Sequence, residues 1–240
     1  MFTLIKVKDY EAMSDEAFKV MKGVVADPKC VLGLATGSSP IGLYQRMIAD
    51  HKENGTSYAE VTTFNLDEYV GLPKSHPESY YSFMHRNLFE GLDIREENIH
   101  IPEDGEDHDA KCREYDEAMQ EYRVDLQVLG IGSNGHIGFN EPGTPFDSKT
   151  HIVTLKESTR KDNARFFEDD INKVPTHAIT MGIDTIMHAK KVIIVASGAN
   201  KADAIYAMMK GPVTEECPAS ILQKHPDVVV VVDEAAAAKL

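Results

Sequence analysis

The segment from Asp125 to Pro142 constrains the fold more than any other part of the chain. It opens with a short apolar run at residues 126–131, which merges into a loop with glycines at positions 130, 132, 135 and 138. A short apolar run that ends in glycines is typical of a buried parallel strand. Because polar side chains alternate with these glycines, the pattern predicts a ligand-binding loop at the C-terminal end of that strand.

His136 is the residue of this loop that most clearly indicates chemistry. It lies between glycines, and Glu141 follows shortly after it. A carboxylate at that spacing can orient an imidazole and raise its basicity, as in acid–base pairs. The spacing Gly130-x-Gly132-x-x-Gly135 also matches a dinucleotide-binding pattern, but that pattern requires a helix to begin within it. Here more glycines and prolines follow, so we predict a loop that carries an acid–base pair.

A second small-residue turn consists of Thr36, Gly37, Ser38 and Ser39. It separates an apolar strand pattern at 31–35 from a helical pattern that begins at Ile41. Backbone N–H groups, hydroxyls and the positive end of a helix converge at such a turn, which predicts an anion or phosphate site. The alternative is an ordinary turn in which Ser39 caps the helix and Pro40 is its first residue. The two interpretations are compatible.

Asp67 and Lys201 also follow apolar strand patterns. The pattern at 61–66 ends in Asp67 and Glu68, and the pattern at 191–196 leads into a glycine turn that contains Lys201. Adjacent carboxylates at the end of a strand lie where α/β enzymes place catalytic groups. Since neighbouring side chains point in different directions, we expect at most one of the two to serve chemistry.

Strand and helix patterns alternate along the whole chain, with no linker or repeat. This predicts one α/β domain over residues 1–240, a three-layer αβα fold with a doubly wound, mostly parallel, Rossmann-like sheet. The loops that follow the strands of such a sheet gather at one edge, so the four polar loops are expected to converge there. A polar helical segment within 156–177 has only a modest core face and is expected to move as a lid.

Composition narrows the ligand class. The 240 residues carry a formal net charge of −14, which argues against a nucleic-acid partner. Three widely spaced cysteines, no signal-peptide layout and no apolar run near the ~20 residues of a membrane span favour a cytoplasmic protein. We find no metal-ligand spacing, no Gly-x-Ser-x-Gly elbow and no nucleotide loop. The sequence therefore predicts acid–base chemistry, without cofactor or metal, on a phosphorylated small molecule such as a sugar phosphate.

Four long stretches resemble the glucosamine-6-phosphate deaminase family, and the similarity runs nearly from end to end. They are residues 32–40 (LGLATGSSP), 64–72 (FNLDEYVGL), 76–85 (HPESYYSFMH) and 129–142 (LGIGSNGHIGFNEP). The resemblance implies conversion of glucosamine 6-phosphate and water to fructose 6-phosphate and ammonia.

The resemblance also implies roles for individual residues. Asp67 would move the C2 proton to C1, and His136 would open the sugar ring with help from Glu141 and Asn134. Many family members have Asp in place of Asn134; an amide carries no charge, so His136 is expected to depend on Glu141. The phosphate would be held by Thr36, Gly37, Ser38 and Ser39 together with Arg165 and Lys201. Arg165 falls in the segment that acts as a lid in the family.

Two further expectations concern regulation and rival functions. Some members are hexamers activated by an acetylated amino-sugar phosphate; this chain is short at its C-terminus and has His151 and Val153 where those members carry basic residues. We therefore expect no such activation, while monomer and homo-oligomer both remain open.

A 6-phosphogluconolactonase shares the fold and the Gly-x-Gly-x-x-Gly-His loop, but residues 67–69 and 139–142 favour the deaminase. A sugar-phosphate sensor would need a DNA-binding extension.

Overall fold

The computed structural model describes residues 2–240, which contain ten strands. In chain order they are β1 (Phe2–Val7), β2 (Val31–Leu34), β3 (Thr62–Asn65), β4 (Asp67–Tyr69), β5 (Ile99–His100), β6 (Leu126–Leu129), β7 (His151–Thr154), β8 (His177–Thr180), β9 (Lys191–Ala196) and β10 (Val228–Asp233). Seven of them form one parallel sheet in the order β1-β10-β9-β6-β2-β3-β5. The predicted doubly wound parallel sheet is confirmed, with β1 at its edge.

Seven α-helices accompany the strands. They are α1 (Tyr10–Val25), α2 (Ile41–Asn54), α3 (Tyr80–Asn87), α4 (His108–Gln120), α5 (Glu157–Asn163), α6 (Ile183–Met187) and α7 (Ala202–Lys210). Helices α1, α2 and α3 contribute to one hydrophobic cluster on the sheet, while α4, α6 and α7 contribute to the other. The three-layer αβα arrangement is therefore confirmed. Among residues 2–240, every helix falls short of the length and apolar character that crossing a bilayer requires.

Helix α1 illustrates how the local sequence produces these layers. The side chain of Asp9 accepts a hydrogen bond from the N–H of Ala12 and so caps the first turn. Met13, Ala17 and Met21 recur every four residues and are fully buried. Their shared stripe packs the helix onto the sheet.

A second, smaller sheet departs from the sequence prediction. Strands β4, β8 and β7 form an antiparallel sheet of their own. Asp67 is therefore the first residue of a strand, and the prediction that it lies in a loop is wrong. The cause is at Leu66, whose N–H donates to Leu34 of the large sheet and whose carbonyl accepts from Met181, next to β8.

Candidate active site

A cavity of about 580 Å³ opens beside the C-terminal ends of β2, β6 and β9. Eight of the ten residues predicted for the site line it: Thr36, Gly37, Ser38, Ser39, Asp67, His136, Arg165 and Lys201. The other two, Asn134 and Glu141, do not line the cavity and belong to the loop that carries His136. The four polar segments therefore converge, as the parallel topology predicts.

The turn between β2 and α2 presents small residues to the cavity. Gly37 has a φ of 89°, a left-handed conformation that glycine adopts without steric cost. Pro40 occupies the N-cap position of α2 with no side-chain cap, so the interpretation of Ser39 as the cap is wrong. The first-turn N–H groups of α2 lie behind this turn, which favours anion binding.

Two cations border the same part of the cavity. Burial lowers the pKa of Lys201, and the positive charge of Arg165 lowers it further, while Asp162 acts in the opposite direction. The guanidinium of Arg165 lies 4.6 Å from the centre of the Phe166 ring. A dianionic ligand group between these cations would relieve their mutual repulsion.

Asp67 is a buried acid on the cavity wall. Its residue surface is 6% exposed. Burial, and then the negative charge of Glu68, raise the pKa of Asp67 to about 8. A carboxyl group with such a pKa can both take up and return a proton near neutral pH.

Glu68 has a different environment from its neighbour. One carboxylate oxygen accepts the N–H groups of Tyr69 and Tyr80 at 2.8 and 2.9 Å, and the other accepts the N–H of Tyr81 at 2.9 Å. Glu68 therefore ties β4 to the first turn of α3. Asp67 lines the cavity and Glu68 does not, which agrees with the expectation that at most one of the two serves chemistry.

His136 reaches the cavity from the glycine loop. Its imidazole packs so closely on Gly132 that a Cβ there would lie 2.2 Å from the ring. Burial lowers the pKa of His136, and the negative charge of Glu141 acts in the opposite direction. The distance from Nδ1 to the nearer Glu141 oxygen is 3.8 Å, which is too long for a hydrogen bond.

Glu141 is held by neighbours on both sides. Its Oε2 accepts a hydrogen bond from the Asn134 amide at 2.8 Å, and its Oε1 accepts one from the Thr159 hydroxyl at 2.5 Å. Asn134 also accepts the N–H of His136 at 3.2 Å. The amide thus connects the His136 backbone to the Glu141 carboxylate.

Sequence reasoning missed several cavity residues, and a group of them lies on α5. Thr159, Asp162 and Asn163 line the cavity, and Asn163 donates to the Tyr69 hydroxyl at 2.9 Å. Their three- and four-residue spacing places them on one helix face, and this signal could have revealed them. Tyr80, from the first turn of α3, also lines the cavity, and its ring centre lies 6.0 Å from that of Phe139.

The fold and the cavity define an α/β protein of the Rossmann-like class, with its ligand cavity at the carboxyl edge of the parallel sheet. The chain belongs to the family of glucosamine-6-phosphate isomerases and 6-phosphogluconolactonases, whose sequence model matches residues 10–231. The resemblance inferred from the four stretches is thereby confirmed.

Individual relatives narrow the comparison within this family. A glucosamine-6-phosphate deaminase of Halalkalibacterium halodurans is 50% identical over 240 residues, covering 99% of this chain and 97% of the relative. A solved structure described as a monomeric glucosamine-6-phosphate deaminase superposes with a TM-score of 0.96 at 41% identity, covering 99% of this chain and 100% of the other. The 6-phosphogluconolactonase of Trypanosoma brucei has a TM-score of 0.80 at 19% identity, covering 100% and 99%, and shares the fold.

Proposed function

We propose that this protein is a glucosamine-6-phosphate deaminase, which converts glucosamine 6-phosphate and water to fructose 6-phosphate and ammonia. The observation that carries the proposal is Asp67, a buried carboxyl group with a pKa of about 8 in the same cavity as a phosphate-type turn. The 50% identity to a deaminase over nearly the whole chain supports it.

In this proposal the substrate phosphate binds at the turn from Thr36 to Ser39. Backbone N–H groups and hydroxyls of the turn would donate to its oxygens, and Lys201 and Arg165 would balance its charge. This local positive group explains how a chain with a net charge of −14 can hold an anion, since remote charges are screened beyond about 8 Å at physiological salt.

Ring opening is assigned to His136. The step moves a proton from the anomeric hydroxyl to the ring oxygen as the bond between C1 and that oxygen breaks. Because burial lowers the pKa of His136, the imidazole is neutral near pH 7 and can accept the first proton. Glu141, oriented by Asn134 and Thr159, would stabilise the imidazolium that forms.

Isomerisation is assigned to Asp67. Its carboxylate takes the proton from C2, the electron pair forms a C1–C2 double bond, and the carbonyl oxygen at C1 is protonated. Asp67 then returns its proton to C1, and the nitrogen lone pair makes an iminium at C2. Water adds to C2, a proton passes to the nitrogen, and ammonia leaves as the carbonyl of fructose 6-phosphate forms.

The lid is proposed as residues 156–177. Its helix contacts the site through the hydrogen bonds from Thr159 to Glu141 and from Asn163 to Tyr69. Closure would bring Arg165 onto the phosphate and exclude water from the reacting carbons. The three cysteines are free and buried, which supports a cytoplasmic location for the enzyme.

Ammonia release from glucosamine 6-phosphate, with no added cofactor or metal, tests the proposal. We expect release from the wild type, a loss of about 10²–10⁴-fold in Asp67→Asn because the base is gone, and no change in the exposed control Asp109→Asn. No release from the wild type contradicts the proposed reaction, and hydrolysis of 6-phosphogluconolactone is then the next assay. Full activity in Asp67→Asn contradicts its role. The same assay with N-acetylglucosamine 6-phosphate added tests the expected lack of activation.

A further inference from the structure

Two tyrosine hydroxyls hold the backbone of the segment from Ala35 to Gly42, here called the phosphate loop. The Tyr10 hydroxyl, at the start of α1, donates to the carbonyl of Ser38 at 2.9 Å and accepts the N–H of Gly42 at 2.8 Å. The Tyr44 hydroxyl donates to the carbonyl of Ala35 at 2.5 Å and accepts the N–H of the same residue at 3.1 Å. The two hydroxyls therefore hold both ends of the loop.

These bonds fix the direction of peptide groups in residues that line the cavity. The C=O and the next N–H of a trans peptide point in opposite directions, and residues 2–240 contain no cis peptide bond. With the Ser38 carbonyl held by Tyr10, the N–H of Ser39 must point away from Tyr10. With the Ala35 carbonyl held by Tyr44, the N–H of Thr36 points away from Tyr44. Both Thr36 and Ser39 line the cavity.

The loop needs such support because its own sequence specifies little. Gly37 tolerates many conformations, and short serine side chains add few packing contacts. The N–H of Gly42 is a first-turn donor of α2 without an intrahelical acceptor, and Pro40 supplies no side-chain cap. Tyr10 satisfies this donor and the Ser38 carbonyl with one hydroxyl, so it joins the loop to the helix start and to α1.

We propose that Tyr10 and Tyr44 are positioning residues that hold the phosphate loop in the conformation that receives the substrate phosphate. The identity of that substrate rests on the proposed function, whereas the geometry of the two hydroxyls does not. Preorganised donors bind an anion more tightly than mobile ones, because the ordering cost is met during folding. Under the proposed function the loop contacts the phosphate and not the reacting carbons, so loss of a hydroxyl should weaken substrate binding and leave the chemical steps unchanged.

Tyr10→Phe is the informative variant. Tyr44 is fully buried, and its loss leaves two backbone groups of Ala35 unpaired in the interior. The Tyr10 ring is only half-buried, and phenylalanine keeps its packing against α2 while removing the hydroxyl. Tyr206→Phe is the matched control, since Tyr206 is 46% exposed and its hydroxyl has no hydrogen bond within residues 2–240.

We expect Tyr10→Phe to raise KM for glucosamine 6-phosphate about five- to tenfold while kcat changes less than about twofold. The Kd of inorganic phosphate, measured by titration calorimetry, should rise by a similar factor. Tyr206→Phe should change neither constant. A merely structural defect would instead lower the melting temperature and the active fraction without this split between KM and kcat.

Unchanged phosphate binding in Tyr10→Phe, or a fall in kcat at constant KM, overturns the inference. Failure of the wild type to bind inorganic phosphate overturns it as well. If the wild type binds phosphate but releases no ammonia, the proposed reaction fails. In that case weaker phosphate binding in Tyr10→Phe still supports the positioning role of the Tyr10 hydroxyl. Equal phosphate binding in the variant and the wild type rejects that role.

Discussion

Asp67 and Glu68 are adjacent carboxylates that are both buried, but their hydrogen-bond partners differ. Burial raises the pKa of Glu68, while the three backbone N–H groups that donate to its carboxylate act in the opposite direction. The pKa of Asp67 is raised by burial and by the charge of Glu68. Burying a charge without partners costs free energy, so Asp67 destabilises the fold whenever it is ionised.

Changing each acid to its amide should therefore move stability in opposite directions. The pKa of Asp67 is about 8 in the folded protein and 3.8 when the carboxyl group is not buried. Folding therefore favours the protonated form, and the stability of the protein falls as the pH rises between these two values. Asp67→Asn removes this loss and should stabilise the protein by about 2 kcal/mol at pH 8, and by little near pH 4. Glu68→Gln should destabilise it, because the amide accepts fewer N–H groups.

Urea unfolding of the two variants and the wild type from pH 4 to pH 8 measures both effects. The gain in Asp67→Asn should grow steadily across this range. An Asp67→Asn protein that is less stable than the wild type at pH 8 would show that the Asp67 carboxylate is paired and not isolated.

At the level of single residues, the sequence predicted which side chains share the cavity better than it predicted the contacts between them. His136 and Glu141 were predicted as a pair from their spacing after a strand, but the structure leaves 3.8 Å between Nδ1 and the carboxylate. The link from Asn134 to Glu141 depends on how the glycine loop folds back on itself. The link from Thr159 comes from an element far along the chain, and no local pattern contains it.

Among the elements, the segment that contains α5 is cross-linked internally by one arginine side chain. The Arg160 guanidinium donates to the carbonyls of Ile171 and Val174 at 2.7 and 3.0 Å. Glu168 and Asp169 lie in the chain between Arg160 and these two carbonyls. Both have positive φ, at 56° and 57°, which is a strained conformation for residues other than glycine. Arg160 thus connects the two sides of a strained turn.

Arg160→Lys should loosen this segment without removing its charge. Both hydrogen bonds leave the same nitrogen, Nη2, and the lysine side chain is one bond too short to place its ammonium there. We expect amide hydrogen exchange across residues 157–174 to accelerate about three- to tenfold, and exchange in β9 and β10 to stay unchanged. Mass spectrometry of the peptides from both regions checks this. Uniform acceleration would mean that Arg160 stabilises the whole fold, and no change would mean that it does not hold the lid.

The sequence predicted the parallel strands well because burial on both faces gives them continuous apolar runs, as in β9 and β10. It did not predict that β4, β7 and β8 form their own sheet. These strands have only three or four residues, and antiparallel pairing partners are chosen by tertiary contacts rather than by the segments themselves.

For the molecule as a whole, the net charge of −14 opposes compaction. Raising NaCl from about 10 to about 150 mM screens this repulsion and should raise the melting temperature by roughly 2–5 °C at pH 8. Calorimetry at both salt concentrations measures the shift. Near the isoelectric point of about 5.1 the rise should disappear. A melting temperature that falls with salt would show that attractive ion pairs outweigh the repulsion.

The position of Leu66 between the two sheets limits insertions and deletions in this segment. This single residue separates β3 of the large sheet from β4 of the small one, and its backbone bonds to both sides. Side chains alternate along a strand, so one extra residue here would exchange the positions of the two carboxylates, turning Glu68 toward the ligand and Asp67 toward α3. Substitutions can vary this segment, but its length cannot change. The irregular stretch at 101–107, which leads into α4, has no such restriction, and natural or engineered length variants should be found there instead.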